Sequence, residues 1–178
     1  MMNSKKYCLD ANVLIEAWQK YYCPDVCPDY WTILAELGRQ DIIFIPEMVS
    51  NEILRTEDDL AEWLKSSGIP IRKIDEQTAS CLKDIFAANP IHKRLVDSVK
   101  GRSLADPWVI AHAICERATV VTKEEKITAL ISTKIKIPNV CENMGVKWIN
   151  DFDFIRELNI QFSCKLNYTM PHGQIALF

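Results

Sequence analysis

Four carboxylates stand where regular elements begin or end: Asp10 in YCLDANVLIEAW, Glu52 in IPEMVSNEIL, Asp106 in SLADPWVIAHA and Glu124 in TVVTKEEK. A fold that gathers them makes an anionic pocket with no obvious cationic partner in the sequence. Two bare carboxylates ~5 Å apart repel by roughly 3 kcal/mol at an effective dielectric of ~20. Such a cluster persists when protons or divalent cations neutralise it. Oxygen-only ligands suit Mg²⁺ or Mn²⁺, as one or two ions, and with them phosphate chemistry. Singly, each acid has a plainer explanation. Asp10 and Asp106 can cap helices, and Asp106 before Pro107 has the look of an N-cap followed by a first-turn proline. Glu52 can be an exposed helix residue, and Glu124 a solvated charge beside its rival Glu125. The joint placement of the four carries the chemical reading.

The elements that must position them alternate between strand and helix. Residues 6–9 form a short strand that runs into Asp10, and residues 12–20 have helical spacing with Leu14, Ile15 and Trp18 on one side. Pro24 and Pro28 mark a loop, and a helix over residues 30–37 is expected to stop at Gly38. Ile42-Ile43-Phe44-Ile45 is a continuous apolar run, as expected of a parallel strand covered on both faces. Helices are expected over residues 47–55, with Met48, Val49 and Ile53 buried, and over 59–66, 76–87, 91–99, 106–117 and 151–158. Residues 71–74, 119–122 and 146–149 complete the extended set. This alternation predicts a single-domain three-layer α/β/α sandwich around a mainly parallel sheet. In such folds ligands bind beyond the carboxyl ends of the strands, where Asp10 and Glu124 would lie.

Composition bounds the remaining classes. The chain has 178 residues, 48% hydrophobic and 25% charged, which fits one soluble globular domain. No apolar run reaches the ~20 residues of a membrane span. The N-terminal MMNSKKYCLD lacks the apolar core of a signal peptide, so a cytoplasmic protein is expected. Seven cysteines, odd in number and irregularly spaced, argue against a disulfide framework. Cys23 and Cys27 are the one close pair and have no second pair at zinc-finger spacing. The formal net charge of −3 argues against broad coating of nucleic acid, although His92, Lys93, Arg94, Lys100 and Arg102 form a local basic stretch upstream of Asp106. That stretch reads equally well as a solvated face. His112, six residues after Asp106 on one helix, falls about 240° around it and so points away from the acids.

Taken in order, LDANVLIEAW, VSNEILR, LADPWVIAHA and VVTKEEK resemble a PIN domain, in a branch related to VapC-type toxins. DDLAEWLK (58–65) and IPNVCENMGVKWIN (137–150) add to the likeness, which covers residues 5–158 and leaves 159–178 as a C-terminal extension. The resemblance implies a metal-dependent nuclease whose family acids correspond to Asp10, Glu52 and Asp106. The fourth family acid, often an Asp two residues after a strand-ending Thr, falls on Glu124, after Thr122. Glu in place of Asp weakens the match there. Asn12 and Thr122 match supporting polar positions. The resemblance further implies an RNA substrate, a small antitoxin protein as partner, and a homodimer. Two other readings stand beside it: a PIN-like protein-binding module without turnover, and a metal-dependent nuclease acting on DNA.

Overall fold

The computed structural model describes residues 5–96, 103–129 and 134–163. Five strands lie side by side in the order β3-β2-β1-β4-β5: β1 (Tyr7–Leu9), β2 (Ile43–Pro46), β3 (Ile71–Arg72), β4 (Thr119–Val121) and β5 (Trp148–Ile149). Every pairing is parallel, with Tyr7 opposite Ile43 and Thr119, and Val120 opposite Trp148. Each residue of β1, β2 and β4 is buried. Helices therefore cover both faces of the sheet, as the unbroken apolar run at 42–45 predicts. The helices are α1 (Ala11–Glu16), α2 (Pro28–Arg39), α3 (Glu47–Leu54), α4 (Asp59–Ser67), α5 (Glu76–Ala88), α6 (Asp106–Glu116), α7 (Ile137–Asn143) and α8 (Asp151–Glu157). The expected sandwich with a parallel sheet is the observed fold.

The topology matters most between β1 and β4. The chain winds from β1 to β2 and β3 on one side of the sheet, then crosses to β4 and β5 on the other. The direction of winding reverses there, so the loops after β1 and β4 diverge and leave a crevice at the carboxyl edge. The Asp10 amide still donates to the Val121 carbonyl at 3.0 Å, so the two strand ends are locked together where the crevice opens. At the other end of β1 and β2, Lys6 and Arg72 share the carboxylates of Asp41 and Glu116.

Several expectations need correction. The helix expected over 12–20 is α1 followed by a π-helical turn, Ala17–Tyr21. Gly38 does not stop α2, which runs on to Arg39. Its lack of a side chain serves packing, because a Cβ there would lie 2.7 Å from both Cα and Cγ1 of Ile69. The helical stop that glycine does provide is Gly68 after α4, at φ 79°. The helix expected over 91–99 is a 3₁₀ segment, Pro90–Leu95, with 97–99 outside the described residues. Helix α7 was not anticipated. Its seven residues carry two asparagines and a proline, too few turns for a period to register. On α3, Val49, Ser50 and Ile53 are fully buried, while Met48 is only partly buried, packed against the core.

The aromatic segment folds inward except at one residue. Tyr30 and Trp31 are buried, Trp18, Trp31 and Trp63 meet edge to face or tilted, and Tyr22 stacks on Tyr30 at 4.3 Å. Phe162 stacks on Tyr22 at 5.6 Å, so the start of the C-terminal extension is fastened to this cluster, while 164–178 lie outside the described residues. Tyr21, at the end of the π turn, is left 50% exposed.

Candidate active site

The crevice at the carboxyl edge is a cavity of about 340 Å³ whose lining includes Asp10, Glu52, Asp106 and Glu124. Four separate elements deliver them. Asp10 follows β1 directly, and Glu124 lies three residues beyond the end of β4. Glu52 is on α3, where Met48, Asn51, Glu52 and Arg55 all reach the cavity. That is the i, i+3, i+4, i+7 pattern of one helix face. Asp106 is the first residue of α6, and Ser103, Leu104 and Ala105 ahead of it complete that wall.

Neither aspartate spends its carboxylate on capping. Ala105 occupies the N-cap of α6, so Asp106 is not the cap that the Asp-Pro sequence suggests. Asp10 does hold the N-cap position of α1, but its side chain makes no cap bond to that helix. Its Oδ2 accepts from the Thr122 hydroxyl at 2.9 Å and from the Asn12 amide at 3.3 Å. The Thr122 Oγ in turn accepts from the Glu124 backbone N–H at 3.2 Å. Thr122 therefore ties the ends of β1 and β4 together through side chains. Glu124 is anchored by the Ile137 N–H at 2.9 Å, the first residue of α7, with Lys136 at 3.9 Å. Glu125, its rival in sequence, is exposed and does not line this cavity.

The electrostatics record the cost of gathering these groups. Burial pushes the Asp10 carboxyl up to about 7, and the charges of Glu124 and Glu52 add to the rise; the bonds from Thr122 and the Ala11 N–H oppose it. Burial pushes Asp106 up to about 8, with Asp10, Glu124 and Glu52 reinforcing it and a bond from Ser103 opposing it. Glu52 is open to solvent at the rim, yet the surrounding protein still raises its carboxyl above the ordinary value, against the pull of Arg55. Arg55 is the one cation on the cavity lining among the described residues, a counter-charge the sequence reading missed. The spacing of 48, 51, 52 and 55 on one helix face could have revealed both Arg55 and Asn51.

Carboxylates held near neutrality at the edge of a parallel sheet fit a hard divalent cation, which would take the place of the protons. Among the described residues no three His, Cys, Asp or Glu side chains converge to enclose an ion as they stand.

The remaining candidates fall elsewhere. His92 leaves the basic stretch altogether. It is fully buried, with Nδ1 on the Ile85 carbonyl at 2.7 Å and Nε2 facing the Asn143 amide at 3.0 Å. Lys93 and Arg94 are exposed on the 3₁₀ segment, away from the acidic lining, and Lys100 and Arg102 lie outside the described residues. His112 is buried outside the cavity lining, with burial holding its pKa below the usual value. Cys23 and Cys27 are partly buried free thiols.

The family model described as Domain of unknown function (DUF4411) matches residues 7–162. No curated protein matches the chain. Among solved structures, VapBC2 from Rickettsia felis, bound to a DNA fragment from its promoter, superposes with a TM-score of 0.52 at 18% identity, covering 81% of this chain and 97% of that one. VapBC-1 from nontypeable Haemophilus influenzae gives a TM-score of 0.48 at 13% identity, over 81% of this chain and 96% of that one. The first likeness shows the fold to be PIN-like. No helix among the described residues is long and apolar enough to cross a membrane.

Proposed function

The chain belongs to the DUF4411 family, and we propose that this member is a divalent-metal-dependent ribonuclease hydrolysing RNA phosphodiester bonds. The observation that carries the proposal is that four carboxylates line one crevice, with Asp10 and Asp106 pushed up to about 7 and 8. A bound Mg²⁺ or Mn²⁺, as one or two ions, would supply an activated water for attack on phosphorus and would screen the charge of the phosphate. In this proposal Asp10, Glu52 and Asp106 hold the cation. Glu124 completes the set from a position fixed by the Ile137 N–H. Thr122 and Asn12 fix Oδ2 of Asp10, as supporting groups around a metal ligand do. Arg55 stands at the rim where a phosphate would enter.

The test is cleavage of single-stranded RNA in Mg²⁺ or Mn²⁺. Asp106→Asn should lower the rate by about a hundredfold or more, since it removes both a ligand and a charge. Undiminished cleavage by purified Asp106→Asn protein would sink the proposal. DNA belongs in the same assay, because attack by water does not use the 2′-hydroxyl. We further propose a toxin–antitoxin setting, with a small antitoxin protein blocking the acidic crevice and a homodimeric toxin, on the PIN-like fold shared with VapBC2. Growth arrest on expression, relieved by a co-expressed neighbouring gene, supports that setting, and normal growth counts against it.

A further inference from the structure

A second cavity, of about 400 Å³, adjoins the acidic crevice, and Glu124 lines both. Its walls combine features that neither the metal-site reading nor the packing of the core requires. Tyr21 and Phe152 both line it and are 50% and 46% exposed. Every other ring of the N-terminal aromatic segment, from Trp18 to Trp31, is at least partly buried. Tyr21 closes the π-helical turn Ala17–Tyr21 that follows α1, and Phe152 is the second residue of α8. Between the two rings runs Lys123. Its ammonium lies 4.2 Å from the Tyr21 centroid and 5.7 Å from that of Phe152. The buried carboxylate of Asp151 holds that ammonium at 2.7 Å. The ammonium thus takes one face of Tyr21 and, from further off, one face of Phe152, while its charge is already matched.

The polar groups around the rings select the kind of ligand. Glu16, Glu124 and Glu125 line the same cavity, and its two lysines, Lys123 and Lys126, are already held by Asp151 and Glu142, so its edge disfavours phosphate. Asn150 uses its side-chain oxygen to cap α8 at 2.8 Å, and its amide nitrogen has no partner among the described residues. Flat rings beside a carboxylate acceptor and an amide donor suit a planar heterocycle with donors and acceptors on its edge. We propose that Tyr21 and Phe152 form a nucleobase-stacking subsite for a single-stranded nucleic acid whose neighbouring phosphate lies in the acidic crevice. The phosphate's position rests on the nuclease reading above; the stacking of the base does not. Every base has a π-face, so the subsite tolerates sequence. A duplex hides those faces, so it excludes paired strands.

The experiment is fluorescence anisotropy with labelled RNAs of equal length, one an unstructured single strand and one long enough to close as a stem with a tight loop (a hairpin), in millimolar Ca²⁺, alongside cleavage assays in Mg²⁺. Tyr21→Leu and Phe152→Leu should each weaken single-strand binding by about tenfold, and Tyr21→Phe, which keeps the ring, should bind like the parent. The hairpin should bind more weakly than the single strand. Equal affinities for the parent and both leucine variants, including no binding by any of them, would overturn the subsite, as would equal affinity for the hairpin. If the parent binds through the rings but never cleaves, the subsite stands and the nuclease reading falls. If the parent cleaves, and both leucine variants bind and cleave as it does, the nuclease reading stands and the subsite falls.

Discussion

At the scale of single residues, Asp10 and Asp106 are where the fold accepts an unfavourable arrangement. Both carboxyls sit well above the ordinary 3.8, at about 7 and 8, chiefly through burial. The sign of the consequence follows from proton binding. Between roughly pH 4 and 8 the folded chain holds protons that the unfolded chain releases, so stability falls as pH rises through that window. In metal-free buffer, Asp106→Asn should therefore melt several degrees above the parent at pH 8.5, with the gap closing as pH falls to 4. Differential scanning calorimetry reads this directly, and equal midpoints at pH 8.5 would show that Asp106 carries no such burden. Glu157 behaves oppositely. Bonds from Lys147, Lys5 and Tyr7 hold it down at about 2, so its contribution is present at neutral pH and is lost only as pH falls toward 2. Asp10 and Asp106 were legible in the sequence because each sits at an element boundary, whereas Glu52 lies within α3. The Thr122 bond to Asp10 joins residues 112 apart in sequence, and only the pairing of β1 with β4 brings them together.

At the scale of elements, local rules succeeded where one period or one breaker dominates and failed where tertiary contact decides. The apolar run at 42–45 announced β2, and Asp58 with Gly68 mark the two ends of α4 as cap and left-handed stop. Gly38 looked like the same kind of stop and is not, because its backbone is helical and its missing side chain makes room for Ile69. Gly38→Ala thus sets two effects against each other. Alanine gains ~1 kcal/mol of helix propensity. The new methyl meets the backbone of Ile69, and overpacking of that kind costs ~1–3 kcal/mol. Urea denaturation should show a net loss of stability, and a gain would mean that α2 and the Ile69 segment can separate freely. The π turn after α1 was equally hidden from a periodicity argument. It ends where Tyr22 stacks on Tyr30 and accepts a bond from Trp31 Nε1 at 2.6 Å, contacts supplied by α2.

At the scale of the whole molecule, strand order makes the site. Alternation in sequence was enough to foresee a parallel sheet between helices, but not the order β3-β2-β1-β4-β5, which sets the ends of β1 and β4 side by side. That order brings Asp10 and Glu124 to one crevice, and α3 and α6 close it with Glu52 and Asp106. The central claim is that this crevice takes a divalent cation in exchange for protons. Titration calorimetry with Mn²⁺ at pH 7, repeated in buffers of different ionisation enthalpy, tests it most directly, since metal binding to partly protonated carboxylates must release protons. The parent protein should show saturable binding with buffer-dependent heat, and Asp10→Asn should lose both. No binding at millimolar Mn²⁺, or binding unchanged in Asp10→Asn, would contradict it.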